Sequence, residues 1–174
     1  RVAGLFLAAG HERIGYIAGW EGASTQRDRE LGFSRALTEA GRSLHAREVG
    51  NFRMEQAAEA ARRMFSVPRA ERPDAVFVAN DHMAIPVMDT LRSEFGLSLP
   101  GDVSVVGYDD VPAAAWPAYD LTTVRQPADR MVAETVDVLL KLVEDEGTPP
   151  RNVEVEGRLI LRGSARIPQG WDRT

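Results

Sequence analysis

The sequence predicts an α/β fold, a doubly wound parallel sheet in a three-layer αβα arrangement, on three observations. Hydrophobic residues alternate along the chain between strand-like runs and helix-like spacing in a regular βα rhythm. Two strand-like runs, VFVAND (Val76–Asp81) and VSVVGYDD (Val103–Asp110), stop on polar side chains. Such ends suit an open parallel sheet, in which ligands bind outside the carboxyl ends of the strands. There a loop holds polar groups that a packed interior would penalise. Finally, sequential βαβ units cross over right-handed, which puts helices on both faces.

The elements follow in order. Arg1–Ala9 reads as the last turns of a helix, with Val2, Leu5, Phe6 and Ala9 on one face, so the chain is expected to begin mid-fold. Ile14–Ala18 forms a short strand after the turn residues Gly10 and His11. Phe33, Ala36, Leu37 and Ala40 make the buried stripe of the next helix, which starts near Ser24 or Thr25 and ends with Gly41 in the left-handed C′ position. A strand around His45–Val49 leads to a helix with Met54, Ala57, Ala58, Ala61, Met64 and Phe65 on one face, ending before Pro68. Its alanines imply close packing.

The strand Ala75–Ala79 feeds a helix Asp81–Phe95 with the stripe Ala84, Val87, Met88, Leu91 and Phe95, stopped by Gly96. Pro86 lies inside it and predicts a local distortion. Past the strand Val103–Tyr108, an irregular stretch Asp109–Asp120 precedes the extended Leu121–Gln126. Pro127 opens the longest helix, to about Glu144. Its stripe of Val132, Val136, Leu139, Leu140 and Val143, widened by Met131, Val138 and Leu142, predicts burial on more than one side. A turn at Glu146–Asn152 containing Pro149 and Pro150 comes next, and VEVEG (Val153–Gly157) and RLILRG (Arg158–Gly163) read as edge strands.

Composition bounds the function. The 174 residues, 44% hydrophobic and 27% charged, suffice for one core or two thin lobes. No apolar run reaches the roughly 18 to 20 residues of a membrane span, and the start carries no clear export signal. With no cysteine, disulfides and thiolate chemistry are excluded, and a reducing compartment, the cytoplasm, is expected. A net charge of -5 argues against a nucleic-acid surface here, so any DNA contact must come from elsewhere. His11, His45 and His82 are too scattered for a metal set. There is no G-x-S-x-G elbow, no phosphate loop and no G-x-G-x-x-G after a strand, so an enzyme is not expected. No cofactor is expected either.

Five segments carry a resemblance. GHERIGYIAG (Gly10–Gly19), the polar run to Arg29 before LGF (Leu31–Phe33), PDAVFVANDHMA (Pro73–Ala84), LPGDVSVVGYDD (Leu99–Asp110) and LTTVRQP (Leu121–Pro127) together resemble the ligand-binding core of the LacI/GalR family of bacterial transcriptional regulators. The likeness runs almost from Arg1 to Gly163. Each motif is weak alone, and the five in order are specific. The resemblance implies a periplasmic-binding-protein-like type I fold of two lobes with a small-molecule effector between them, a sugar or sugar phosphate by family habit, with nucleobases as an alternative. It further implies a homodimer, and DNA contact through an amino-terminal helix-turn-helix that this sequence does not contain. Residues 1–126 would be mainly the carboxyl-terminal lobe, 127–157 a return segment to the amino-terminal lobe and 158–174 a crossover back with the tail. Without most of the partner lobe, the faces of the Pro127–Glu144 helix would be partly uncovered. The helix Asp81–Phe95 and the loop Val111–Tyr119 are the expected dimer contacts.

The resemblance also nominates site residues, each with a bland alternative. Arg29 would clamp effector oxygens with its planar fork, although Arg27 and Arg35 share its polar helix. Phe52 is either a stacking ring or a core phenylalanine. Asn80 and Asp109 would hydrogen-bond hydroxyls, or cap a helix and a turn. Asp81 is expected to cap the following helix and Asp110 to be a turn residue. Gln126 would report closure through the hinge. Ser24 and Thr25 could reach the ligand from the first βα loop, capping being preferred for one of them, and Trp116 could line the cleft mouth. Trp20 has no assigned role. The rival reading, a periplasmic sugar-binding receptor of a transporter, shares fold and cleft, but VGYDD and LTTVRQP weigh towards the regulator.

Overall fold

Four strands pair in parallel in the order β2-β1-β3-β4, where β1 is Ile14–Ala18, β2 Ala46–Val49, β3 Ala75–Val78 and β4 Ser104–Val106. This computed structural model describes residues 1–144 and 153–171. Strands β1, β3 and β4 are buried at every position, the signature of a parallel sheet covered on both faces, whereas β2, at the edge, is only half-buried. From β1 the chain steps outward to β2, and then back across β1 to β3 and on to β4. Right-handed crossovers therefore put α2 (Ser24–Glu39) on one face, with α3 (Met54–Phe65) and α4 (Asp81–Ser93) on the other. The packing agrees: α1 (Val2–Ala8) lies against α2, and α3 against α4. The direction reverses between β1 and β3, so a crevice opens at their carboxyl ends.

Aromatic packing under α2 and alanine packing under α3 fill the two layers. Tyr16, Phe33 and Phe77 meet with ring centroids 4.9 to 5.8 Å apart. On the other face Ala57, Ala60 and Ala61 are fully buried, as close packing of α3 against α4 requires. Ala60 rather than Ala58 completes that stripe, since Ala58 falls past the edge of the inward arc shared by residues 57, 60, 61, 64 and 65; Met54, the first residue of the helix, is 48% exposed. Ala40, placed in the α2 stripe by spacing, is instead the exposed C-cap, and Gly41 follows at φ 71° as expected. Helix α4 runs unbroken through Pro86. The carbonyl that Pro86 leaves without a partner is that of His82, an exposed residue that solvent reaches.

Beyond β4 the sheet continues through single bridges. Gly107 N donates to Thr122 O and Asp109 N to Val124 O, both at 2.9 Å, bringing β5 (Thr123–Arg125) alongside. Strand β5 pairs antiparallel with β6 (Arg158–Ile160), Arg125 opposite Arg158. Of the two expected edge segments, Val153–Gly157 is not a strand, because pairing with the three-residue β5 is used by Arg158–Ile160. The chain then returns to the sheet: Val105 N donates to Ser164 O at 2.8 Å, and Ser164 Oγ donates to Val105 O at 2.6 Å while accepting from Thr122 N at 2.8 Å. Ser164 thus fills the gap between β4 and the start of β5.

Helix α5 (Ala128–Glu144) has no buried residue, contrary to the burial that its apolar stripe predicts; Val132 is 62% and Val143 80% exposed. Helical spacing indicates which face seeks cover, and Tyr108, Gln126 and the segment 153–157 border it across a cavity without burying it. The expected turn at Glu146–Asn152 lies outside the described residues.

The Ser164 clip gives a direct test of the tail's contribution. Ser164→Ala leaves the buried Thr122 N–H without its acceptor and should lower stability by about 2 kcal/mol in urea unfolding, with the m-value unchanged. A loss near zero would mean that the tail is dispensable to the sheet.

Candidate functional site

Helix α2 leaves the carboxyl end of β1, and a buried amide fixes where it starts. Gln26 Oε1 accepts from Gly19 N at 2.8 Å and from the Tyr16 hydroxyl at 3.1 Å, while its Nε2 donates to Glu30. Glu30 in turn binds Arg47 of β2, whose guanidinium also reaches Glu21. Burial pushes the Tyr16 hydroxyl up to about 12, so it stays a donor. Neither Ser24 nor Thr25 caps α2. Its N-cap is Ala23, with no side-chain bond, because Ser24 is already the first helical residue.

This anchoring carries Arg29 over the switch point. Its guanidinium lies 3.5 Å from the centroid of the Tyr108 ring, and one Nη donates to Ala79 O at the carboxyl end of β3. The plane of the fork is therefore set by an aromatic face and a strand terminus. Arg29, Thr25, Phe77, Tyr108 and Gln126 line a cavity of about 500 Å3, which a second of about 320 Å3 adjoins through Tyr108, Gln126 and Gly157. That second cavity lies between α5 and Val153–Gly157.

The other nominated residues fall into place around it. Asp109, at φ 110°, accepts from Gln126 Nε2 at 2.6 Å; Gln126 lines both cavities, whereas Asp109 lines neither and reaches the cleft edge through Gln126. Asn80 is the N-cap of α4, its Oδ1 accepting from Met83 N at 3.0 Å. The cap expected of Asp81 thus belongs to its neighbour, since the helix begins at Asp81 itself. Phe52 follows Asn51 in a tight turn with φ of 58° and 54°, and its ring packs so closely on Gly19 that a Cβ there would meet it at 2.1 Å. Phe52 is half-buried and outside both cavities, as is the exposed Ser24. Trp116, expected at the cleft mouth, ends the short turn Pro112–Ala115, is 57% exposed and lines neither cavity.

Two acidic residues do more than their sequence reading assigned. Asp81 is fully buried; its Oδ1 accepts from Thr123 Oγ1 at 2.7 Å and its Oδ2 from Val111 N at 3.0 Å. Burial pushes its carboxyl up to about 6 against those two bonds. Asp110 is no mere turn residue: at φ 56° it binds Arg125 Nε at 2.5 Å and Arg162 Nη2 at 2.6 Å. Burial raises its carboxyl and the two arginines overcome that, holding it below its ordinary value. Among the described residues no group of three His, Asp or Glu could hold a metal, and no helix is long and apolar enough to cross a membrane.

The profile of the periplasmic binding protein-like domain matches residues 3–165. The chain belongs to the periplasmic binding protein-like family. Within it, the chain is similar to the HTH-type transcriptional repressor PurR of Photobacterium profundum, 34% identical over 163 residues, covering 92% of this chain and 48% of that one. PurR of Haemophilus influenzae is 34% identical over 165 residues, with the same coverage of 92% and 48%. This family member therefore spans about half the length of the curated relatives it matches. Among solved structures, a complex of the transcriptional regulator CelR with cellobiose superposes with a TM-score of 0.85 at 32% identity, covering 94% of this chain and 50% of that one. A LacI-family sugar-binding transcriptional regulator from Escherichia coli, complexed with phosphate, gives 0.81 at 31% identity, covering 96% and 59%. The LacI/GalR resemblance carried by the five segments is borne out.

In this periplasmic binding protein-like chain, Gln26, Tyr108 and Arg162 are the residues that sequence reasoning passed over. Gln26 sits in a polar run with no apolar period, and Arg162 meets Asp110 across 52 positions, so neither has a local signal. Tyr108 had one, its place at the end of β4 beside Asp109.

Asp81 sets a pH dependence. Its folded carboxyl, at about 6, lies above the ordinary 3.8, so between those values the native state holds a proton that the unfolded chain does not. Asp81 thus adds stability as pH falls from about 6 to about 4, roughly 3 kcal/mol when complete, and loses it as pH rises. Asp81→Asn should remove this contribution, since Thr123 can accept from the new amide as readily as it donates. Parallel urea curves for both proteins between pH 4 and 7.5 would test it: a stability difference that does not vary with pH counts against the buried, protonating carboxyl.

Proposed function

We propose that this chain is the effector-binding and dimerisation core of a LacI/GalR-like transcriptional regulator of the cytoplasm, responding to a sugar. The observation that carries the reading is the cleft at the carboxyl ends of β1 and β3, where the Arg29 fork lies on Tyr108 and the Asp109–Gln126 pair closes the edge. A guanidinium fork and a carboxylate–amide pair match the vicinal donors and acceptors of a polyol, and an aromatic floor suits its C–H face. The names of the relatives, repressors and sugar-binding regulators, support the same function. On this reading residues 1–126 belong mainly to the carboxyl-terminal lobe. The segment 127–157 runs to a partner lobe, in keeping with the uncovered apolar face of α5, and 158–174 returns.

The mechanism is linkage. A sugar that binds the closed arrangement of two lobes better than the open one shifts their populations, and that bias reaches a DNA-binding helix-turn-helix module outside this sequence. The net charge of -5 is consistent with DNA contact lying elsewhere in the gene product. The Lac repressor has been solved as a dimer with a TM-score of 0.86 to this chain at 28% identity, covering 96% of this chain and 60% of that one. For this protein a dimer would join α4, where Ile85 and Pro86 are half-exposed, and the Val111–Tyr119 loop with its exposed Trp116.

The test uses the full-length gene product with a panel of cellobiose, lactose, maltose, glucose and ribose. A panel member should raise the melting temperature and change affinity for the DNA upstream of the gene. Arg29→Ala and Asp109→Ala should each weaken that sugar's binding by roughly 30-fold or more, the ~2 kcal/mol of a charge-assisted hydrogen bond, and leave DNA affinity unchanged. Sugar binding without DNA binding would favour the transport receptor; no response from any panel member would remove the sugar reading. Trp116→Ala should weaken the dimer by about 30-fold in analytical ultracentrifugation, and an unchanged dimer would move the interface elsewhere.

A further inference from the structure

Asp110 joins three segments of the chain. Its side chain, 6% exposed, binds Arg125 in β5 and Arg162 beyond β6. Arg162 also donates to Leu121 O at 2.7 Å, and its backbone N donates to Thr122 Oγ1 at 2.9 Å. Asp109, one residue earlier, accepts from Gln126, one residue after Arg125. Consecutive acids thus hold the last residue of β5 and the one after it, 110 with Arg125 and 109 with Gln126 at the cleft edge. The Asp109 N–Val124 O bond fixes the register between them.

This ladder has a consequence for ligand binding. Gln126 lines both cavities and Asp109 lines neither, so a sugar oxygen that takes Gln126 Nε2 exchanges for its bond to Asp109 behind it. Releasing Gln126 frees the end of β5, which Asp110 still grips through Arg125 while gripping the segment after β6 through Arg162. We infer that Asp110 is a positioning residue that couples the Gln126–Asp109 bond to strands β5 and β6, so that exchange of this one hydrogen bond at the cleft edge moves both strands together. The inference rests on the regulator reading above. It goes beyond that reading in naming a residue that touches no ligand and yet sets the size of the response.

Asp110→Asn leaves the largely buried Arg162 without its counter-charge and endangers the fold, so the deciding variant is Arg125→Gln. Arg125 is 57% exposed on its side chain, and Arg162 still pairs with Asp110 when Arg125 is replaced, so no buried charge is left without a partner. In the full-length gene product, with the panel sugar that gives the largest melting shift, calorimetry gives the sugar Kd. Fluorescence anisotropy gives the affinity for upstream DNA with and without that sugar. Arg125→Gln should keep the sugar Kd within about threefold and the melting temperature within roughly 2 °C, while the sugar-induced change in DNA affinity falls by about fivefold or more. Arg125→Lys should restore most of the change. A wild-type response retained in Arg125→Gln overturns the inference and leaves the regulator reading standing. A wild-type protein that answers no panel sugar overturns both.

Discussion

The Asp81 carboxyl group is wholly buried at the head of α4, and the geometry of the cleft floor depends on what it holds. Its Oδ1 takes the Thr123 hydroxyl and its Oδ2 the Val111 amide, while the Asp81 backbone N donates to Tyr108 O at 2.8 Å. One residue thereby ties β5, the loop after β4 and the ring under Arg29 to a helix terminus. Gly107 leaves room for it, since a Cβ at that position would lie 2.1 Å from Asp81 Oδ1. A buried carboxyl costs desolvation free energy, and here it is offset by two hydrogen bonds and by protonation that burial brings close to neutral pH.

That dependence explains which parts of the molecule the sequence could disclose. Strands β1 and β3 and helices α2, α3 and α4 follow from the period of their apolar residues, because each is covered by its sequence neighbours in the βα order. Helix α5 follows equally well as a helix and fails as a buried one: period reports a face that needs a partner, and burial depends on whether one is present. The Asn80–Asp81 exchange has another cause. Both residue types cap helices, and a shift of one position in helix start decides which side chain turns back to an amide and which turns inward.

Around the cleft, legibility follows range. Arg29 stood beside Arg27 and Arg35 on one polar helix, and only the family resemblance separated it from them; the structure gives the physical distinction, a guanidinium stacked on Tyr108. The contact joins residues 29 and 108, far apart in the chain, and leaves no periodic trace. Gln26 is similarly silent, since an amide that is buried through hydrogen bonds to Gly19 and Tyr16 reads in sequence as one more polar residue before an apolar stripe. Polar networks are specified by three-dimensional closure, which is why strand ends announced a site while its positioning residues stayed hidden.

The backbone between Tyr108 and Val111 gives the remaining argument. Asp109 and Asp110 both hold positive φ, 110° and 56°, in a region where a non-glycine residue costs on the order of 1–3 kcal/mol each. Glycine at either position would remove that strain and with it a carboxylate. The strain is offset by what the two side chains reach: Gln126 for the first, and Arg125 with Arg162 for the second. Successive residues thereby send their carboxylates to Arg125, the last residue of β5, and to Gln126 just after it. The strained turn thus ties the cleft edge to the end of β5 and, through Arg162, to the segment after β6.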